Sequence, residues 1–361
     1  MSIHPQLRQI IERRETLTRT EAAHLLHLIL EGQATDLELA ALLAALATRG
    51  ETPAEIAGFV DAMRAAATSF PLEEAERNLL VDTCGTGADL SGTFNISTAA
   101  ALVAAAAGAT AGAKPTTRVN VTAGANIMVA KHGNRAVTSQ CGSADVLEAL
   151  GIPVALSPAE GVAALRQHRF AFLHAQTLHP AMKAVMPVRR ALGIRTTFHI
   201  VGPLSNPAGA RAQVMGVYAP HLVLLAAEAM ALLGTRHSFV VHGATDVPGG
   251  LDELSISGPS QIGEIRGSAI TLRTITPEEF GLERAPIAAL RGGDASANAA
   301  ILRSIFAGEH SPRRDIVLLN TAAVLAAADL VPDLSEGLAL AAYTIDRGAV
   351  TELLASLSRT S

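Results

Sequence analysis

Tryptophan is absent from the 361 residues, and with 2 tyrosines and 9 phenylalanines the aromatics reach only 3%. A chain so short of flat π-faces has few platforms on which single-stranded nucleic acid could stack. Positive charge is scarce as well: 28 Lys and Arg against 33 Asp and Glu give a net charge of −5, without a basic footprint for a polyanion. No nucleic-acid partner is expected. Cysteine is limited to Cys84 and Cys141, each in a glycine-flanked, loop-like segment, which predicts thiols in a reducing compartment rather than a disulfide. A nucleophilic cysteine is the weaker reading, because nothing nearby supplies a base. Long apolar runs are missing too. The most apolar stretch, Ala99 to Ala113, is interrupted by Gly108 and Gly112 and falls short of the ~20 residues a bilayer requires, so no membrane span is expected. Arg8, Glu12 and Arg13 stand where a signal peptide would need an apolar core, which predicts a cytoplasmic protein. None of the 12 histidines forms an HExxH or a paired spacing with cysteine, which argues against zinc.

What is present is ample apolar material, 49% of the residues, enough for two domains or one large α/β unit. Residues 1 to about 72 read as helices only. Three capping boxes pair Thr18 with Glu21, Thr35 with Glu38 and Thr52 with Glu55, each opening an apolar-periodic segment. From Leu79 onward short apolar runs alternate with helical patterns: LLVDTC, an alanine-rich helix from Thr98, VAKHG, the helix ADVLEALG, PVALS, FVVHG and DIVLLN. That alternation predicts an α/β fold, a mostly parallel sheet flanked by helices, beside a small all-helical N-terminal domain. The boundaries expected are 1–75 for the helical domain and 76–361 for the α/β domain. A helical interruption, PAMKAVMPVRRALG, would return residues of about 178–195 to the bundle. The stretch of about 110–128, with its near-repeat TAGAK and TAGAN, is long for a connection and reads as a local duplication forming a surface loop or lid.

Chemistry concentrates in the loops. In VDTCGTGADLSGTFNISTAA, Gly85 and Gly87 permit close backbone approach, while Asn95, Ser97 and Thr98 lie beside the unpaired N–H groups of the next helix. A phosphate or pyrophosphate suits such a turn. Leu90 stands where a dinucleotide fingerprint needs its third glycine, and no Gly-Lys-Ser/Thr follows, so neither common nucleotide loop fits. KHGNR, Lys131 to Arg135, supplies charge, imidazole and amide after a strand, and Ser143 opens the helix after QCGSAD as a donor to phosphate. Asp252 and Glu253 form an acidic pair in a glycine-rich loop. Alone they read as a solvated turn; beside two phosphate-type loops, Mg²⁺ is the alternative. His179 precedes the helix carrying Lys183, Arg189 and Arg190 and can face the same cleft as His132.

GTGAD, GTFNISTA, VAKHGNR, GSADVLEALG, HPAMK, PVRRALGIRT, GPLSNPA and LDE occur in an order that resembles the anthranilate phosphoribosyltransferases over nearly the whole chain. The likeness is greater than to the pyrimidine nucleoside phosphorylases of the same fold. It implies Mg²⁺-dependent transfer of a phosphoribosyl group from phosphoribosyl pyrophosphate to anthranilate, and a homodimer formed through the helical domain. By residue, it implies that Gly85, Thr86, Gly87, Asp89, Thr93, Asn95, Ser97, Thr98, Lys131, Asn134 and Ser143 grip phosphoribosyl pyrophosphate. Ser97, Asp252 and Glu253 would hold one or two Mg²⁺ ions. Gly85, His132, Asn134, His179, Arg189, Gly202 and Pro203 would line the seat of anthranilate, with Arg189 facing its carboxylate. Lys131, His132 and Arg189 are the residues assigned to the reaction itself.

Four positions depart from the pattern. Ala88 replaces a glycine, His199 stands where asparagine is usual, and two loops are longer, one before Val129 and one between His242 and Leu251. Two other readings compete: a nucleoside phosphorylase of the same fold, against which KHGNR and LDE argue, and a related binding protein without catalysis.

Overall fold

The computed structural model describes residues 2–87, 89–110, 120–122, 126–136 and 140–358. The Ala88 position and the duplicated centre of the 110–128 connection lie outside the described residues. All three threonine–glutamate boxes form, each threonine accepting from the glutamate N–H while the glutamate side chain reaches back, and they open the helices Arg19–Leu30, Asp36–Arg49 and Pro53–Ala65. The first and third pack so closely that a Cβ on Gly58 would lie 2.1 Å from the Arg19 carbonyl oxygen. The interruption forms the 3₁₀ turn Pro180–Ala184 and the helix Met186–Leu192. Val185 and Val188 are buried in one apolar cluster with Leu39, Leu42 and Phe59. That cluster runs on through the helix Leu222–Leu232 to Met215 and Val240, so the helices share a continuous core with one face of the sheet.

Seven strands make the sheet: β1 (Leu80–Gly85), β2 (Met128–Gly133), β3 (Phe170–His174), β4 (Ala212–Gly216), β5 (His237–Gly243), β6 (Ser260–Arg266) and β7 (Ala269–Ile275), in the order β3-β2-β1-β4-β5-β6-β7. The first five run parallel and the last two antiparallel. The chain steps from β1 outward to β3, then returns to the other side of β1 with β4. This reversal leaves a crevice at the carboxyl ends of β1 and β4, where open α/β sheets bind ligands. Against the sheet lies the helix Ile96–Thr110, whose residues Ala99 to Ala107 are buried on every side between the strands and the helix Pro312–Ala327.

Two expected strands are not strands. Pro153–Ser157 is irregular, bracketed by Pro153 and by Pro158 of the helix Pro158–His168, because proline withholds a ladder donor. The third strand is instead Phe170–His174. Asp315–Asn320 lies within the helix Pro312–Ala327, opened by the Ser311 cap. That helix is buried all round, and a short apolar run of this kind carries no period to separate helix from strand.

Candidate active site

β1, β4 and β5 all end on glycine, and the acidic loop supplies the reason. A Cβ on Gly85 would meet Asp252 Oδ2 at 2.3 Å; on Gly216, the Asp252 carbonyl oxygen at 1.5 Å; on Gly243, Ser255 Cβ at 2.5 Å. Three neighbouring strands thus stop short of side chains so that one loop can lie across their ends. Its base is closed by Gly243 and Leu251, which exchange N–H···O bonds of 3.0 and 2.7 Å, so the longer loop leaves Asp252 and Glu253 tied to β5. Asp252 Oδ2 accepts from the Gly87 N–H at 2.6 Å and Glu253 Oε1 from the Ser97 N–H at 3.0 Å. The Asp252 N–H points at Asp89 Oδ2, 3.4 Å away. The glycine turn, the start of the alanine-rich helix and the acidic doublet are therefore one constellation.

Its electrostatics are unbalanced. Burial, with the charges of Asp89 and Glu253, pushes the Asp252 carboxyl well above its ordinary range, and burial pushes Glu253 up to about 7. The nearby cation is Lys131, 1% exposed, whose Nζ donates to the Thr83 carbonyl at 2.7 Å and Ser97 Oγ at 3.2 Å. Burial lowers its pKa while Asp82 supports the charge. Asp82 is itself buried, accepting from the His132 N–H at 3.1 Å and Asn206 Nδ2 at 2.8 Å, and burial raises it to about 6.

Among the described residues no three His, Cys, Asp or Glu side chains form a ready metal cage. Two buried carboxylates that repel one another beside Asp89 nevertheless fit Mg²⁺. That ion is held by one or two carboxylates and completes its shell with water and substrate phosphate oxygens.

Next to Lys131, the rings of His132 and His179 lie 5.1 Å apart, tilted by 57°. Burial depresses them to about 3 and about 4, so both are neutral at pH 7, and His132 Nε2 has no hydrogen-bond partner among the described residues. Arg189 lies over the Phe198 ring at 5.3 Å, its pKa lowered by burial. Gly202 faces open space, and the Pro203 carbonyl accepts from Gln213 Nε2 at 2.8 Å. His199 takes up a local role, its Nδ1 accepting from the Thr196 N–H at 3.1 Å.

Several expected contacts are engaged elsewhere. Asn95 bonds Asn298 and the Cys141 carbonyl, Thr86 Oγ1 accepts from the Tyr218 N–H, and Asn134 Oδ1 accepts from the Arg135 N–H. Thr93 bridges to Arg291 through its backbone, and Ser143 opens its helix with Cβ close to Gly133. Thr98 is wholly buried, its hydroxyl unpaired among the described residues. Arg135 of KHGNR is paired with Asp145 and Glu148 rather than turned toward the doublet. Sequence motifs alone assign no role to Asp82, Asn206, Gly216 or the segment 291–298, which runs from a loop into the helix Ala295–Phe306. Apolar runs that each end on glycine, as in AQVMG and FVVHG, carried the signal for the strand ends.

Residues 77–118 and 113–351 match the model of the glycosyl transferase family, a/b domain, and residues 5–67 that of the glycosyl transferase family, helical bundle domain. The anthranilate phosphoribosyltransferase of Chloroflexus aggregans is 48% identical over 357 residues, 98% of this chain and 97% of that one. The crystal structure of anthranilate phosphoribosyltransferase from Thermus thermophilus superposes with a TM-score of 0.86 at 40% identity, covering 98% of both chains. The Saccharomyces cerevisiae enzyme in complex with PRPP and Mg gives 0.83 at 24% identity, with 99% and 98% covered.

Proposed function

The chain belongs to the anthranilate phosphoribosyltransferase family, and from that premise we propose that it transfers the 5-phosphoribosyl group of phosphoribosyl pyrophosphate to the amine of anthranilate in a Mg²⁺-dependent reaction. One observation carries this reading: the buried doublet Asp252–Glu253 lies across glycine-ended strands, bonded to the Gly87 and Ser97 N–H groups of the phosphate-type turn. Asp252, Glu253 and Ser97 would hold the metal, which when bound neutralises charge on the pyrophosphate. Gly85, Thr86, Gly87 and Asp89 would seat the donor's phosphates. Thr93, Asn95, Thr98, Asn134 and Ser143 would frame that seat, several of them by fixing the loops around it.

In the reaction the anthranilate nitrogen bonds the ribose C1 as the bond from C1 to the pyrophosphate oxygen breaks, and the nitrogen then gives up a proton. Lys131 provides a fixed positive charge against the departing oxyanion, preorganised by its bonds to Thr83 and Ser97. His132, His179, Gly202 and Pro203 would line the aromatic seat, and Arg189 would pair with the carboxylate. The two imidazoles are too weakly basic to take a proton at neutral pH. An aryl amine is already neutral there, so alignment rather than base strength supplies the acceleration. A second copy of this chain is the proposed partner, against the helices formed by residues 1–75 and 178–195, where Leu37 is 84% exposed. No described helix is long and apolar enough to cross a membrane, in keeping with a proposed cytoplasmic enzyme.

The reading is tested by mixing the protein with phosphoribosyl pyrophosphate, Mg²⁺ and anthranilate and following anthranilate fluorescence. Magnesium-dependent loss of signal is expected; a signal unchanged by any one of the three components overturns the reading.

A further inference from the structure

At the other end of the sheet from the glycine-ended crevice, a cleft of about 460 Å³ opens among Arg64, Arg77 and Arg211. The three come from separate places: the last turn of Pro53–Ala65, the short helix Glu74–Arg77 that leads into β1, and the residue before β4. No aspartate or glutamate lines this cleft. Among the described residues neither Arg64 nor Arg77 has a carboxylate at ion-pair distance. Arg64 Nε and Nη2 donate to the Leu204 carbonyl at 3.2 and 2.8 Å, and Arg77 Nη1 and Nη2 to the carbonyls of Ala208 and Phe70. Nearby acids are already committed: Asp61 holds Arg19 by two bonds of 2.6 and 2.9 Å, Glu74 holds Arg211 at 2.7 Å, and Glu76 holds Arg166 at 2.7 Å.

Carbonyl dipoles offset only part of a guanidinium's charge, and burial lowers the Arg64 pKa, as for a cation short of a counter-ion. Arg77 lies close against the backbone of the cleft wall: a Cβ on Gly209 would press to 3.0 Å from its Nη1. Three guanidinium groups reaching one cleft from separate elements, two of them without a carboxylate partner among the described residues, suit a phosphate, whose several oxygens can each accept a charge-assisted bond. The geometry points to a second anion site in this cleft, for the phosphate group of a small phosphorylated compound. It is separate from the proposed reaction, which belongs to the carboxyl ends of the strands.

The test is calorimetric titration of the full chain, in chelator-containing buffer, with inorganic phosphate and with ribose 5-phosphate, alongside crystals soaked in each. Wild type is expected to show phosphate density between Arg64 and Arg77. Arg64→Gln is expected to weaken that binding at least tenfold, the scale of one lost charge-assisted hydrogen bond. Arg211→Gln, at a half-exposed position whose surface ion pair is worth little to stability, is expected to weaken it several-fold and to melt close to wild type, and so decides the matter if Arg64→Gln fails to fold. Turnover in phosphate-free buffer should stay within twofold for both variants. Equal binding of the two probes assigns the site to free phosphate, and tighter ribose 5-phosphate to a phosphorylated compound. Phosphate found only at the carboxyl ends of the strands, or Arg211→Gln binding both probes as wild type does, overturns the proposal.

Discussion

Asp252 and Glu253 are held where their ionised forms are disfavoured, so activity and stability oppose each other at these two residues. Asp252→Asn with Glu253→Gln removes the repulsion but also the proposed metal ligands. Turnover should fall at least ~100-fold, about 2.7 kcal/mol of barrier, while the melting temperature in Mg²⁺-free buffer holds or rises. Assay and melt on the same preparation check both halves, and near-normal turnover removes the metal assignment. Arg189 makes the complementary case, a guanidinium against the Phe198 ring with no ion pair among the described residues. Arg189→Ala should raise the KM for anthranilate roughly tenfold to a hundredfold, the value of a charge-assisted contact. The KM for phosphoribosyl pyrophosphate should move little, and steady-state kinetics with each substrate varied in turn would expose an equal effect on both.

Where strands end, backbone geometry governs. Gly216→Ala puts a methyl group 1.5 Å from the Asp252 carbonyl oxygen, a rigid neighbour, and should cost about 3 kcal/mol or more while displacing the doublet. Gly202→Ala meets nothing within 4 Å and should unfold at nearly the wild-type urea midpoint, so the pair separates crowding from loss of glycine as such. Such crowding is invisible in a linear sequence, because Gly216 and Asp252 are 36 residues apart and meet only once β4 pairs with β1 and β5. What is legible is local: the three threonine caps, the turn after β1 and the alanine-rich helix. Short apolar runs are not. Asp315–Asn320 reads as a strand because a segment buried on every side shows neither alternation nor a helical stripe, and Pro153–Ser157 because a short apolar run resembles one until the prolines that bracket it are weighed. The antiparallel pair β6 and β7 escapes a sequence reading, its outer strand AITLRTI being largely exposed, with Thr271, Arg273 and Thr274 set among its apolar residues. Motifs point to the loops of the candidate site, but not to their supports. Asp82 and Asn206 read as ordinary polar residues until the fold buries them under His132.

Across the whole molecule the buried titrating groups fall into two sets with opposite effects on stability. His132 and His179 have folded pKa values of about 3 and about 4, below the ~6.5 of an unfolded histidine. Between pH 4 and 6.5 the unfolded chain therefore binds more protons, and these two add stability as pH rises and lose it as pH falls. Asp82, at about 6, and Glu253, at about 7, lie above their unfolded values near 4, and Asp252 is shifted the same way. Their native forms hold protons in that window, so they remove stability as pH rises. Each group contributes about 1.4 kcal/mol per pH unit, and His237, which burial also holds at about 4, joins the rising set. In the Mg²⁺-free protein the three carboxyls therefore flatten the rise that the histidines give on going from pH 5 to 6. Binding of a divalent cation to Asp252 and Glu253 requires their deprotonation and cancels two of the falling contributions, leaving the histidines ahead of Asp82. With saturating Mg²⁺ the slope should be more positive by about 3 kcal/mol per pH unit than with chelator, and magnesium affinity should weaken below pH 7. Urea denaturation at pH 5 and 6, with magnesium and with chelator, measures the difference. Parallel slopes under the two conditions would mean that the doublet is not where the ion binds.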